Sequence, residues 1–187
     1  LLDISGATLT SPTLPSSVAS GDELKITAAQ ASAATIAGEG TITVTGTHSS
    51  TDLSNITSAL LDISGATLTS PTLPSSVASG DILTLTAAQA NSASITNSGT
   101  VRVELSASAE LAASSDIDAI TGTIAFVESD APTVAVTTLS VASGQTLTIS
   151  AAQVSGKTIS GEGTVTVTGS HSSTDLSNIT PALLDIS

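Results

Sequence analysis

LLDISGATLTSPTLPSSVASGD (Leu1–Asp22) returns unchanged as Leu60–Asp81, 59 residues later. Working outward, GEGTITVTG (Gly38–Gly46) returns as GEGTVTVTG (Gly161–Gly169), and HSSTDLSNIT (His48–Thr57) returns as His171–Thr180, both 123 residues later. LLDIS appears a third time at Leu183–Ser187. Repetition at a fixed period encodes one supersecondary unit that buries its apolar face by stacking on its neighbours. The register divides the chain into repeat 1 (1–59), repeat 2 (60–123), repeat 3 (124–182) and the start of a fourth (183–187), expected to form one continuous solenoid. Repeat 2 is five residues longer. Aligning Asp52–Ser64 with Asp116–Glu128 places the extra residues within 104–115, ELSASAELAASS, as a loop insertion. Because the chain starts and stops at one phase of the repeat, the expectation is a piece of a longer array.

Inside each repeat a short apolar–x–apolar triplet recurs: Leu2/Ile4, Leu24/Ile26, Ile42/Val44, Leu61/Ile63, Leu83/Leu85, Val101/Val103, Ala125/Val127, Leu147/Ile149, Val165/Val167 and Leu184/Ile186. Alternation of period two marks each as a strand with one face inward. Successive triplets are about 20 residues apart, too short for an immunoglobulin-like domain and too regular for unrelated strands. The spacing predicts an all-β fold, a parallel β-solenoid (β-helix) of about 20 residues per coil, with three coils per 59-residue repeat. A second apolar column, Leu9, Ile36, Ile56, Leu68, Ile95, Ile120, Ile159 and Ile179, suits another side of the coil. Glycine-containing turns lie between the columns, at Ser20-Gly21-Asp22, Gly38-Glu39-Gly40, Asn97-Ser98-Gly99 and Gly161-Glu162-Gly163. The stretches TAAQASAA (from Thr27), TAAQANSA (from Thr86) and SAAQVSGK (from Ser150) suit either a tight corner or a single helical turn.

Composition narrows the function. The chain carries one aromatic residue, Phe126, and no Cys, Met, Trp or Tyr. Its mean hydropathy of +0.40 and regular alternation are the wrong signature for disorder. The net charge is −13, with Lys25, Arg102 and Lys157 the only Lys and Arg residues. Such a surface repels nucleic acid and anionic membranes. Without cysteine there is no disulfide framework and no thiolate metal site. No apolar run reaches the 18 or so residues of a membrane span.

The outward residues of the triplets form a column: Asp3, Lys25, Thr43, Asp62, Thr84, Arg102, Phe126, Thr148, Thr166 and Asp185. Asp3 and Lys25 are expected to be neighbours on successive coils. Thr41-x-Thr43-x-Thr45 and Thr164-x-Thr166-x-Thr168 resemble ice-binding ranks, but they fall on one coil in three, interrupted by charge. Asp52, Asn55 and Asp62 recur as Asp175, Asn178 and Asp185, and these six are the calcium candidates, since hard cations take oxygen ligands. The competing reading is that they cap backbone groups at coil corners. Neither an EF-hand loop nor a GGxGxD repeat is present. His48 and His171 stand alone in equivalent loops. Asp116 and Asp118 are the densest carboxylate pair, and Asp116 aligns with Asp52 of an ordinary repeat. With no nucleophile motif, phosphate loop or zinc-binding HExxH, the chain is not expected to be an enzyme.

The phrasing TLTISAAQ…KTISGEGTVTVTG…DLSNIT resembles the tandem repeats of very large secreted bacterial surface proteins: adhesins, S-layer-like proteins and filament or sheath components. The resemblance covers the whole chain and rests on Thr/Val/Gly strands, acidity and absence of cysteine. It implies an extracellular or cell-surface location and a role as stalk, fibre or coat, without cofactor. It also implies that the partners are copies of the chain or further repeats end to end. The alternative is an adhesin face for carbohydrate, mineral or ice. A shortage of aromatics and arginine favours the structural role, because recognition patches draw on those residues.

Overall fold

The computed structural model describes residues 1–9, 12–91, 93–105, 117, 119–128, 138–141, 143–144, 146–169 and 173–186. Ten strands pair in chain order along one parallel ladder: Leu2–Asp3, Glu23–Thr27, Ile36–Ser49, Ile56–Asp62, Ile82–Thr86, Thr100–Leu105, Thr123–Glu128, Thr146–Ser150, Thr164–Thr168 and Leu183–Ile186. They are called rungs 1 to 10 below. Each is reached from the last by one coil of about 20 residues, so the molecule is a parallel β-solenoid.

The ladder follows from side-chain alternation. Leu24, Ile42, Leu61, Leu83, Val101, Ile124, Leu147, Val165 and Leu184 lie in register, rung on rung. Ile26 stacks on Val44, Leu85 on Val103 and Ile149 on Val167, and all six are fully buried. Burying one such side chain is worth about 1.5–3 kcal/mol. Interior rungs are closed above and below, whereas the end rungs are not: Leu1, Leu2, Leu183 and Ile186 are 79, 49, 59 and 50% exposed.

Rung 7 corrects the alignment. The repeat offset put Ala125 and Val127 inward and Phe126 in the outward column. Instead Ile124 pairs with Val101 and Phe126 with Val103, so Ala125 faces outward beside Arg102. Phe126 is 7% exposed. A slip of one residue turns every side chain of a strand to the other face. Here the slip buries the largest apolar group in the chain in place of an alanine. The stretch 106–116, which contains nearly all of the expected insertion, lies outside the described residues, as does Asp118.

The second column is partly as expected. Ile36 stacks on Ile56, Ile95 on Ile120 and Ile159 on Ile179. Leu9 and Leu68 do not join it. Leu9 is 44% exposed, and Leu68 pairs with His48 where Ala66–Thr69 runs beside the far end of rung 3.

The alanine-rich corners are single helical turns, Ala28–Ala31, Ala87–Ala90 and Ala151–Val154. Thr27 caps the first: its side chain accepts from Gln30 N (3.2 Å), while Gln30 Oε1 accepts from Thr27 N (2.8 Å). Thr86/Gln89 and Ser150/Gln153 repeat the capping box. Small side chains let the turn press on the core, with Ala28 and Ala31 essentially buried. The glutamine also ties coils together. Gln89 Nε2 donates to Ile63 O and Ala66 O of the preceding coil, both at 2.9 Å. Gln30 reaches Ile4 O and Ala7 O at 3.2 Å.

One glycine corner shows why that residue is needed. Gly38 has φ +117°, and a Cβ there would drive into the backbone of Val18 on the coil below. Gly161, with φ +125°, meets Val141 in the same way. Here the chain folds closely over its neighbour with no room for a side chain.

Candidate functional surface

The ladder presents its outward residues on one face. The column through Asp3 reads Asp3, Lys25, Thr43, Asp62, Thr84, Arg102, Ala125, Thr148, Thr166 and Asp185, and within it Thr84 is buried, at 2% exposure. Asp3 stands beside Lys25, as the sequence led us to expect. Hydrogen bonds from the Ser5 hydroxyl and amide hold the Asp3 carboxyl below its ordinary range, and the Lys25 charge adds to the effect. Thr43 Oγ1 donates to Glu23 Oε1 at 3.2 Å.

The neighbouring column, two residues earlier on each rung, was not apparent from single strands. It places Thr100, Thr123, Thr146 and Thr164 on four consecutive rungs, after Ile82 and before Leu183. Thr148 and Thr166 lie beside the last two, followed by Ser150 and Thr168. The sequence reading followed threonines along strands, where they fall on one coil in three. The ladder gathers them across strands.

The calcium candidates are engaged in local structure. Asp52 Oδ1 accepts from Ser54 N (3.0 Å) and Oγ (2.6 Å), and Asp62 Oδ1 from Ser64 N (2.9 Å) and Oγ (2.7 Å). Asp175 Oδ1 accepts from Ser177 N at 3.0 Å. These are Asx-type caps. Asp52 is held below the usual carboxylate range, first by the Ser54 hydroxyl and then by its amide. For Asp175 the Ser177 amide leads and the hydroxyl follows. Asn55 and Asn178 contribute backbone carbonyls, which accept from Ile36 N and Ile159 N. The aspartates of the first trio sit on different ladders: Asp52 bridges Thr72, whereas Asp62 lies between Thr43 and Thr84. Asp185 pairs with Thr166. Among the described residues no three His, Cys, Asp or Glu side chains gather as a metal group. His48 Nδ1 lies 2.9 Å from the Thr51 hydroxyl, and Thr51 is fully buried. His171 and Asp116 lie outside the described residues.

Two grooves recur 59 residues apart on the side of the helical turns. The first, about 750 Å³, is lined by Leu9, Pro12, Leu14 and Gln30; the second, about 370 Å³, by Leu68, Pro71, Leu73 and Gln89. Among the described residues no charged side chain lines either. Among the described residues no helix is long and apolar enough to cross a membrane.

The residues that sequence reasoning passed over are the corner glutamines. Their signal was present as Thr or Ser followed three residues later by Gln, the capping-box spacing. Among the described residues, Gln153 Nε2 and Asn97 Oδ1 are buried without a hydrogen-bond partner.

The fold defines the class: a β-solenoid built from a repeated three-coil unit. No protein-family model matches the chain, and neither a curated protein nor a solved structure matches it.

Proposed function

We propose that this chain is a structural segment of an extracellular bacterial repeat array, serving as a stiff stalk or as an element of a self-assembling fibre or surface layer. One observation carries the reading: ten rungs share a single parallel ladder whose apolar interior runs unbroken along one axis. Hydrogen bonds along that axis resist bending, and each added repeat lengthens the rod without changing its section. The outward face offers one aromatic-free surface of hydroxyls and scattered charge, poor in the groups that anchor tight recognition. Duplicating repeat 1 should lengthen the particle by about 14 Å, three coils at roughly 4.8 Å each. Small-angle scattering measures this, and an unchanged maximum dimension refutes the reading.

The four-rung threonine column favours a second reading, an adhesin face for carbohydrate, mineral or ice. Under it, Thr123→Lys with Thr146→Lys abolishes retention on ice, insoluble polysaccharide or hydroxyapatite; no retention of the unaltered chain on any of the three rejects it.

A further inference from the structure

We propose that Asn55 and Asn178 are acceptor sites for N-linked sugar, with Asn55 the stronger, so that glycans stand along one edge of the rod. The proposal goes beyond the structural reading above and rests on its extracellular part, since Asn-x-Thr acceptors are surface sites of secreted chains.

The chain has four asparagines, at 55, 91, 97 and 178. An acceptor is followed by any residue but proline and then by Ser or Thr. Asn55-Ile56-Thr57 and Asn178-Ile179-Thr180 satisfy that spacing, whereas Asn91 and Asn97 are followed two residues on by Ala93 and Gly99. Chance alone supplies such triplets in a chain rich in Ser and Thr, so their placement in the fold has to decide.

Asn55 and Asn178 occupy the same corner of the coil, just before rungs 4 and 10, and both are exposed. Each lends the fold its backbone carbonyl, which accepts from Ile36 N at 3.3 Å and from Ile159 N at 3.1 Å. Among the described residues no hydrogen bond engages either side-chain amide. Asn97, by contrast, is 7% exposed, and its amide donates to Thr123 O at 2.6 Å. The isoleucine of each triplet, Ile56 or Ile179, is buried in the core. Residues two apart in an extended chain share a face. Thr57 and Thr180 therefore stand outward with their asparagines, and both are exposed. Crowding is slight: Thr57 pairs with Ala37 and Thr180 with Ser160 on the preceding coil, all small residues. A sugar joined at this corner displaces no packed group.

The chemistry requires a sugar activated as a nucleotide or polyprenyl diphosphate and a transferase of the producing cell. The bond from sugar C1 to the phosphate oxygen breaks, and the diphosphate leaves with its electron pair. Asparagine Nδ2 forms the new bond to C1 and gives up a proton to a base on the transferase. The threonine hydroxyl is the handle by which the transferase holds the amide at C1. The next residue ranks the two sites. Ser58 follows Thr57, whereas Pro181 follows Thr180. Proline restricts the residue before it to extended conformations, so the second triplet bends less readily into a transferase. Repeat 2 carries Ala119 at the aligned position and has no amide to offer. With roughly 4.8 Å per coil, the six coils between the sites separate the two sugars by about 29 Å along one edge.

The test uses the chain as its own organism makes it, mapped peptide by peptide in a mass spectrometer before and after enzymatic release of N-linked sugar. Peptides bearing Asn55 should carry sugar mass and lose it on release, with aspartate left at that position. Asn178 should be occupied to a lower fraction, and Asn91 and Asn97 should be bare. Thr57→Val, which exchanges the hydroxyl for a methyl on an exposed strand residue, should abolish sugar at Asn55 and leave Asn178 unchanged. Pro181→Ser should raise Asn178 toward the occupancy of Asn55, and no rise overturns the ranking. An unmodified Asn55 overturns the proposal, as does sugar that survives Thr57→Val. If Asn55 is bare, recovery of the chain from the cell surface still leaves the structural reading standing.

Discussion

Replacing Gln89 by alanine tests how coils are tied together away from the ladder. Gln89 is 8% exposed and makes bonds of 2.9, 2.9 and 2.8 Å to Ile63 O, Ala66 O and Thr86 N. Truncation leaves two carbonyls and an amide without that partner, next to a helical turn that has lost half its capping box. A net loss near 1 kcal/mol per bond gives about 3 kcal/mol in all. Gln30 is the internal control. Its reach to Ile4 O and Ala7 O is longer, 3.2 Å each, and the Ala7 end is exposed. Water can replace much of what is lost there, so Gln30→Ala should cost about 1–1.5 kcal/mol. A solenoid opens in segments, so hydrogen exchange followed peptide by peptide is the suitable assay. In Gln89→Ala, amides of Ile63–Thr69 and Thr86–Ala90 should exchange about a hundredfold faster, the factor that roughly 3 kcal/mol implies. Equal effects in the two variants, or a larger effect in Gln30→Ala, would refute the reasoning that burial sets the strength of this tie.

Two further outcomes follow from the structure. Phe126→Ala should destabilise by about 3–5 kcal/mol in urea unfolding, because it empties a core position, whereas an outward Phe126 would cost almost nothing. Asp52 has a depressed folded-state pKa, so the unfolded chain binds its proton first as pH falls. Its contribution is present above the usual aspartate range and lost as pH drops through the folded value. Carboxyl NMR titration should show Asp52 returning toward its ordinary value in Ser54→Ala, and no change there would remove Ser54 as the cause.

The ladder was legible because its rungs alternate cleanly, as in Thr41-Ile42-Thr43-Val44-Thr45. Rung 7 was not, for a physical reason: Ile124, Ala125, Phe126 and Val127 are all apolar, so a period of two fits either phase. Only packing chooses, and it chooses the aromatic. The corners were ambiguous because alanine satisfies a tight bend and a helix equally, and the cap between Thr27 and Gln30 decides. Leu9 and Leu68 matched the second column in spacing alone, and pairing with the far end of rung 3 takes Leu68 elsewhere. The threonine column could not be seen in any single strand, since it exists only once rungs are in register. The aspartates drew attention as oxygen donors, but the serine two residues on from Asp52, Asp62 and Asp175 already engages them.

The sulfur-free interior has a chemical consequence. Sulfur and indole groups are the usual targets of peroxide and related oxidants, and this chain has no Cys, Met or Trp. Nothing inside the rod can climb the oxidation ladder, so its interior requires no reductase to restore it. Durability of this kind is written into composition rather than maintained by repair.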